Sequence, residues 1–146
     1  MEIKIVNDRV AVSPQIQPED IEAIKSAGYT VIVNNRPDGE IVGQPLSNEI
    51  EALAVEADID YHYIPMVPGE LRQDMIDELN EVLDNASGPV FAYCRSGTRS
   101  ITLWSLSQAG KIPADEIIAA GNANGYDLAP MRPTIEALAA QQAASD

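Results

Sequence analysis

The chain has 146 residues, the size of one globular domain, and 45% hydrophobic against 22% charged residues excludes a disordered chain. Nine Lys and Arg against 23 Asp and Glu leave a formal charge of −14, which argues against sequence-independent binding to nucleic acid or to an anionic membrane. One cysteine and one histidine make an internal disulfide impossible and leave a multi-Cys/His zinc site all but excluded.

Ile3 and Ile5, then Val10 and Val12, alternate as in strands, with Asn7-Asp8 as the turn between them. Pro18, followed by Glu19 and Asp20, opens a helix whose stripe is Ile21, Ile24 and Ala27 and which Gly28 ends. The run Tyr29 to Val33 is apolar on both faces and reads as a covered strand. A helix follows over Ser47 to Ala57, then a strand Tyr61 to Ile64 stopped by Pro65. Met75, Ile76, Leu79, Val82 and Leu83 mark a third helix. Gly88-Pro89 precedes the apolar strand Val90 to Tyr93. The loop CRSGTRS then leads into the helix ITLWSLSQAG, with further helical segments around Ile117 and Ile135.

Alternating strands and helices predict an α/β fold with a mostly parallel sheet between two helical layers. Right-handed crossovers gather the strand-to-helix loops at one edge, where open α/β sheets bind ligands. Those loops are Asn34 to Gly43, Pro65 to Glu70 and Cys94 to Ser100. The chain shows no apolar run of about 20 residues and no signal-peptide core, so the expectation is one cytoplasmic domain over residues 1–146, without membrane or nucleic-acid partners.

The sharpest feature is the last of these loops. Its lone cysteine, Cys94, ends a buried strand at the start of a helix, where backbone N–H groups and the helix terminus favour anions. A free thiol ionises near pH 8.5 at about neutral surroundings, and Arg95 and Arg99 beside it favour the nucleophilic thiolate. Ser96, Gly97, Thr98 and Ser100 complete the candidate anion-binding loop, Gly97 allowing the tight backbone turn. An inert buried cysteine is the alternative, and the combination of strand, glycine loop, paired arginines and apolar helix stands against it.

The segment Cys94 to Ser100 resembles the C-x-x-G-x-R-S loop of single-domain rhodanese sulfurtransferases. The stretches VAVSPQ (Val10 to Gln15), GYTVIVNNRPDGE (Gly28 to Glu40), YHYIP (Tyr61 to Pro65) and Phe91 to Ser100 resemble instead the dual-specificity phosphatase fold. In particular they are similar to the phosphatase-like domain of beta-lactamase hydrolase-like proteins. Cysteine phosphatases place five residues between Cys and Arg and a His before the Cys, whereas this chain has four and Tyr93. Their general acid is an Asp after the strand matching Tyr61 to Ile64, and this chain reads Pro65-Met66-Val67-Pro68-Gly69-Glu70 there. Glu70 is the candidate substitute, with an exposed carboxylate as the plainer reading.

Because sulfur transfer needs no such acid, the loop predicts a sulfurtransferase that carries sulfane sulfur as a Cys94 persulfide, with Arg99 and the loop amides holding the charge. A small sulfur-containing or anionic substrate, an acceptor thiol or protein cysteine and no cofactor are the matching expectations. The alternative is a cysteine-dependent phosphatase working through a Cys94 phosphoenzyme, and the second alternative a non-catalytic anion or redox sensor. Arg36 either contacts substrate or pairs with Asp38 or Glu40. His62, Tyr93 and Trp104 read as structural, and Asn122 to Asp127 as a helix-ending turn that borders the site.

Overall fold

The computed structural model describes residues 1–145, and Asp146, the last residue of the expected domain, lies outside them. Two short strands form an antiparallel hairpin, β1 (Lys4–Ile5) and β2 (Val10–Ser13). Asn7 makes its turn: its side-chain oxygen accepts the N–H groups of Arg9 and Val10. Pro18 opens a single 3-10 turn rather than an α-helix, and the α geometry begins only at α1 (Ile21–Ser26). β3 (Val31–Asn34), α2 (Ser47–Glu56), β4 (Asp60–Tyr63), α3 (Gln73–Asn85) and β5 (Val90–Tyr93) follow in strict alternation. Three helices close the chain, α4 (Thr98–Ser107), α5 (Ala114–Ala123) and α6 (Arg132–Ser145).

The five strands order as β1-β2-β5-β3-β4. All pairs beyond the first hairpin are parallel, and Val90 sits level with both Val10 and Val31. Parallel neighbours require crossovers, and the crossing helices cover both faces. Alternation along each strand divides the side chains between two cores. Val10, Val12, Val31, Val33, Val90 and Ala92 face the layer built from α3, α4, α5 and α6. Ala11, Ile32, Phe91 and Tyr93 face α1 and α2, where Ile21, Ile24, Ile50 and Ala54 meet them. Each fully buried aliphatic contributes about 1.5–3 kcal/mol, and slipping one strand's register by a residue would exchange its two rows between cores shaped for different side chains.

The helix α4 is buried round most of its circumference, with Ile101, Leu103, Trp104 and Leu106 in the larger core. Trp104 is therefore a core residue, as its position implied. Among the described residues no helix is long and apolar enough to cross a membrane.

Candidate active site

β5 is the middle strand, and the loop leaving its end carries Cys94. The Cys94 N–H donates to the Ser13 carbonyl at 3.3 Å, and the Gln15 N–H donates to the Arg95 carbonyl at 3.2 Å, so the end of β2 ties the loop down. The chain then turns at Gly97, where φ is +90°. That turn aims the Gly97 N–H at Cys94 Sγ, 3.0 Å away. A side chain at 97 is barred twice over: the conformation is left-handed, and a Cβ would lie 2.1 Å from Tyr126 Oη. Tyr126 Oη itself donates to the Ser96 carbonyl at 2.8 Å and pins the loop from outside. Thus the turn Asn122 to Asp127 does border the site. Burial raises the Tyr126 hydroxyl above its ordinary value, with Lys4 opposing the shift.

Helix α4 begins at Thr98, directly behind the sulfur, so its unpaired N–H groups and partial positive charge face the cradle. Cys94 is fully buried beneath the loop. Arg95, Ser96 and Thr98 are exposed on the rim, with Ser96 and Thr98 hydroxyls 3.0 Å apart. Ser100 turns away from the sulfur and donates to Asn35 Oδ1 at 2.8 Å, while Asn35 Nδ2 donates to the Ile64 carbonyl. These bonds join α4, the end of β3 and the end of β4 behind the loop.

Arg99 has a divided guanidinium. Nη1 and Nη2 grip the two oxygens of Glu40 end-on, each at 2.8 Å, and Nη1 also donates to the Met66 carbonyl at 2.8 Å. Five N–H groups minus these three leave Nε–H and the second Nη2–H, the parallel side-on pair that suits an oxyanion. The Glu40 bond also raises the Arg99 guanidinium's proton affinity, burial opposing it and the neighbouring Cys94 adding to it. Glu40 in turn is held down to about 2, chiefly by its hydrogen bond from Arg99, with burial opposing and Arg36 assisting.

Arg36 is 2% exposed. Its Nε donates to Glu40 Oε1 at 2.8 Å, and its Nη1 donates to Gln15 Oε1 at 3.0 Å. The pairing with Glu40 is one of the two readings open to it from sequence. Its buried Nη2 has no hydrogen-bond partner among the described residues. Glu40 therefore bridges two arginines and locks Arg99's outer end. Glu70 is engaged elsewhere: it pairs with Arg72 at the surface, both about half exposed, and Arg72 also holds Asp74. Asp38 accepts the Ser47 N–H at the start of α2. His62 lies on the edge strand β4, lining a groove with Glu78 and Glu81 of α3, apart from the cysteine loop. Tyr93 packs beneath the loop, its hydroxyl buried with no hydrogen-bond partner among the described residues and pushed far up by burial.

The three predicted loops do converge, since Glu40, Met66 and Arg99 come one from each. Gln15 and Ser13 are the participants that sequence reading missed. Gln15 closes the VAVSPQ stretch, and the register that sets β2 beside β5 is what brings it to the site.

Fold and site together define an enzyme with a cysteine nucleophile on a phosphatase-like α/β scaffold. The family described as the beta-lactamase hydrolase-like protein, phosphatase-like domain, matches residues 2–111. The chain belongs to that family. It is 33% identical over 130 residues to a beta-lactamase hydrolase-like protein of Xylella fastidiosa (strain Temecula1), covering 88% of this chain. It is 34% identical over 125 residues to that of Agrobacterium fabrum, covering 84%. The chain spans only 30% and 29% of those two relatives' own lengths.

Among solved structures, a candidate phosphatase from Neisseria meningitidis superposes with a TM-score of 0.82 at 31% identity, covering 94% of this chain and 99% of the other. PTPMT1 superposes with a TM-score of 0.76 at 10% identity, covering 99% and 100%, which speaks for the fold alone.

These findings overturn the expectation of a sulfurtransferase, and with it the Cys94 persulfide and the transfer of sulfane sulfur. The rhodanese likeness rests on seven residues of one loop, whereas the phosphatase-like frame runs through most of the chain. The four-residue spacing between Cys94 and Arg99 does not take the guanidinium out of play. Gripped end-on by Glu40, it still presents a two-pronged edge.

Proposed function

We propose that the protein hydrolyses phosphomonoesters through a phosphocysteine at Cys94. The observation that carries this reading is the pairing of Cys94 Sγ, which accepts the Gly97 N–H, with an Arg99 whose side-on edge is left open. The thiolate attacks phosphorus; an S–P bond forms, the P–O bond to the ester oxygen breaks, and its electron pair departs with the leaving group. Loop amides, the α4 terminus and the open edge of Arg99 meet the equatorial oxygens, where charge accumulates. Water then attacks phosphorus, the S–P bond breaks, and inorganic phosphate leaves with the thiolate restored.

Glu40 and Met66 position Arg99 and touch no reacting atom in this scheme. Arg36 acts through Glu40. Arg95, exposed at the rim, adds positive charge for an approaching anion in a molecule that otherwise repels it.

Phosphate release from p-nitrophenyl phosphate tests the reading, with trapping of a phosphorylated protein by rapid acid quench and mass spectrometry. The wild type turns over and yields a phosphocysteine; Cys94→Ser yields neither, and Arg99→Lys loses about 10²–10³ in kcat, as removal of one preorganised charge donor does. Full activity in Cys94→Ser sinks the proposal.

A further inference from the structure

We infer that Tyr126 is a positioning residue of the cysteine loop: by holding the Ser96 carbonyl it fixes which way the Ser96–Gly97 peptide faces, and so keeps that peptide's N–H turned into the anion cradle. That role stands apart from the phosphatase reading, since an anion must be received before any reaction at the sulfur.

A peptide unit is planar and carries its C=O and its N–H on opposite sides. The Ser96 C=O and the Gly97 N–H belong to one such unit. Tyr126 Oη donates to the carbonyl at 2.8 Å, and the N–H donates to Cys94 Sγ at 3.0 Å. The hydroxyl on one side and the sulfur on the other therefore select the same orientation. Turned over, the unit would present a carbonyl to the sulfur, an acceptor facing a thiolate or a bound oxyanion where a donor stood.

The local backbone does not forbid that turn. Gly97 has φ +90° and ψ −13°, close to the third residue of a type II turn at about +80° and 0°. Flipping the peptide before it gives a type I turn, whose third residue sits at about −90° and 0°, and glycine adopts either sign of φ. The neighbouring units are secured differently. The Arg95 carbonyl accepts the Gln15 N–H at 3.2 Å, and the Gly97 carbonyl accepts the Ile101 N–H at 3.0 Å. Main chain holds those two, whereas a side chain 30 residues further along holds the one between them.

Tyr126 is itself braced. It is buried, its N–H donates to the Gly121 carbonyl at 2.9 Å, and Asn124 Nδ2 ties the same turn to the Ile5 carbonyl of β1 at 3.0 Å. Burial keeps the proton on the hydroxyl at neutral pH, and the Lys4 ammonium, 4.5 Å from the ring centroid, sharpens it as a donor. Hydrogen bonds at both ends polarise the peptide between them.

Alkylation of the lone cysteine tests the role, with two reagents that differ in charge and not in the carbon attacked: iodoacetate and iodoacetamide. Tyr126→Phe removes the hydroxyl and keeps the ring. At pH 7 its iodoacetate rate is expected to fall at least about tenfold, as loss of one hydrogen bond to a charged group predicts. The iodoacetamide rate should fall less, so the ratio of the two drops. The concentration of inorganic phosphate that halves the iodoacetamide rate should rise at least about tenfold. A tyrosine that only packed would leave the ratio unchanged, and one that only closed the loop over a buried sulfur would, once trimmed, let both reagents in faster. Either of those results overturns the role. Both measurements read Cys94 without turnover, so a wild type that fails on p-nitrophenyl phosphate counts against the phosphatase alone.

Discussion

Glu40 is the residue on which the site's electrostatics turn. A carboxylate bridging two guanidiniums satisfies charges that would otherwise lie largely buried, and unpaired buried charge is costly. Its carboxyl is lowered from 4.5 to about 2 by folding, so the ionised form stabilises the native state fully above pH 4.5 and progressively less as pH falls toward 2. Allowing for solvent at a side chain one-fifth exposed, the contribution is about 2 kcal/mol. Glu40→Gln should therefore lower stability by about that amount at pH 7, and the gap to wild type should close as pH drops through this window. Urea unfolding at a series of pH values measures it; a gap that stays constant with pH would show that the ion pairs contribute nothing.

At the scale of elements, α3 separates stability from chemistry. Met75, Ile76, Leu79, Val82 and Leu83 form its buried stripe against the larger core, and none of them takes part in the hydrogen bonds described around Cys94. Leu79→Ala should cost about 2–5 kcal/mol in denaturant unfolding while kcat/KM of the folded protein holds. A collapse of activity with unchanged stability would mean that α3 acts on the site. The regular elements were legible from periodicity because each stripe or alternating run does one job. The helix expected over Ser47 to Ala57 spans Ser47–Glu56, and the apolar runs became the strands. The strand expected from Tyr29 starts at Val31, because Tyr29 and Thr30 spend their N–H groups on the Ile24 and Pro89 carbonyls. Cys94 and Arg99 were legible as a local motif. Gln15, Ser13 and the bridging role of Glu40 were not, since each depends on strand order or on a partner 59 or more residues away. Loop length and a missing acid misled about the chemistry because they count residues without fixing where a guanidinium's edges point.

For the whole molecule, a charge of −14 on 146 residues opposes compaction wherever salt does not screen it. The Debye length falls from about 30 Å at 0.01 M to about 8 Å at 0.15 M salt, a span that covers much of such a domain. Relief of about 1 kcal/mol of self-repulsion should raise Tm by about 2–4 °C over that range. Calorimetry in sodium chloride checks this, and a flat or falling Tm would show that attractive pairs, screened alike, dominate the field.

The place of β5 between β2 and β3 has one more consequence. A strand bonded along both edges cannot recede or swing aside, so the sulfur at its tip is a fixed point. Whatever differs between ligands has to be met by the Arg36 and Met66 segments, which approach from neighbouring crossovers. Replacing those segments can redirect what is recognised while the nucleophile stays in position, which makes the scaffold forgiving of divergence in its choice of ligand.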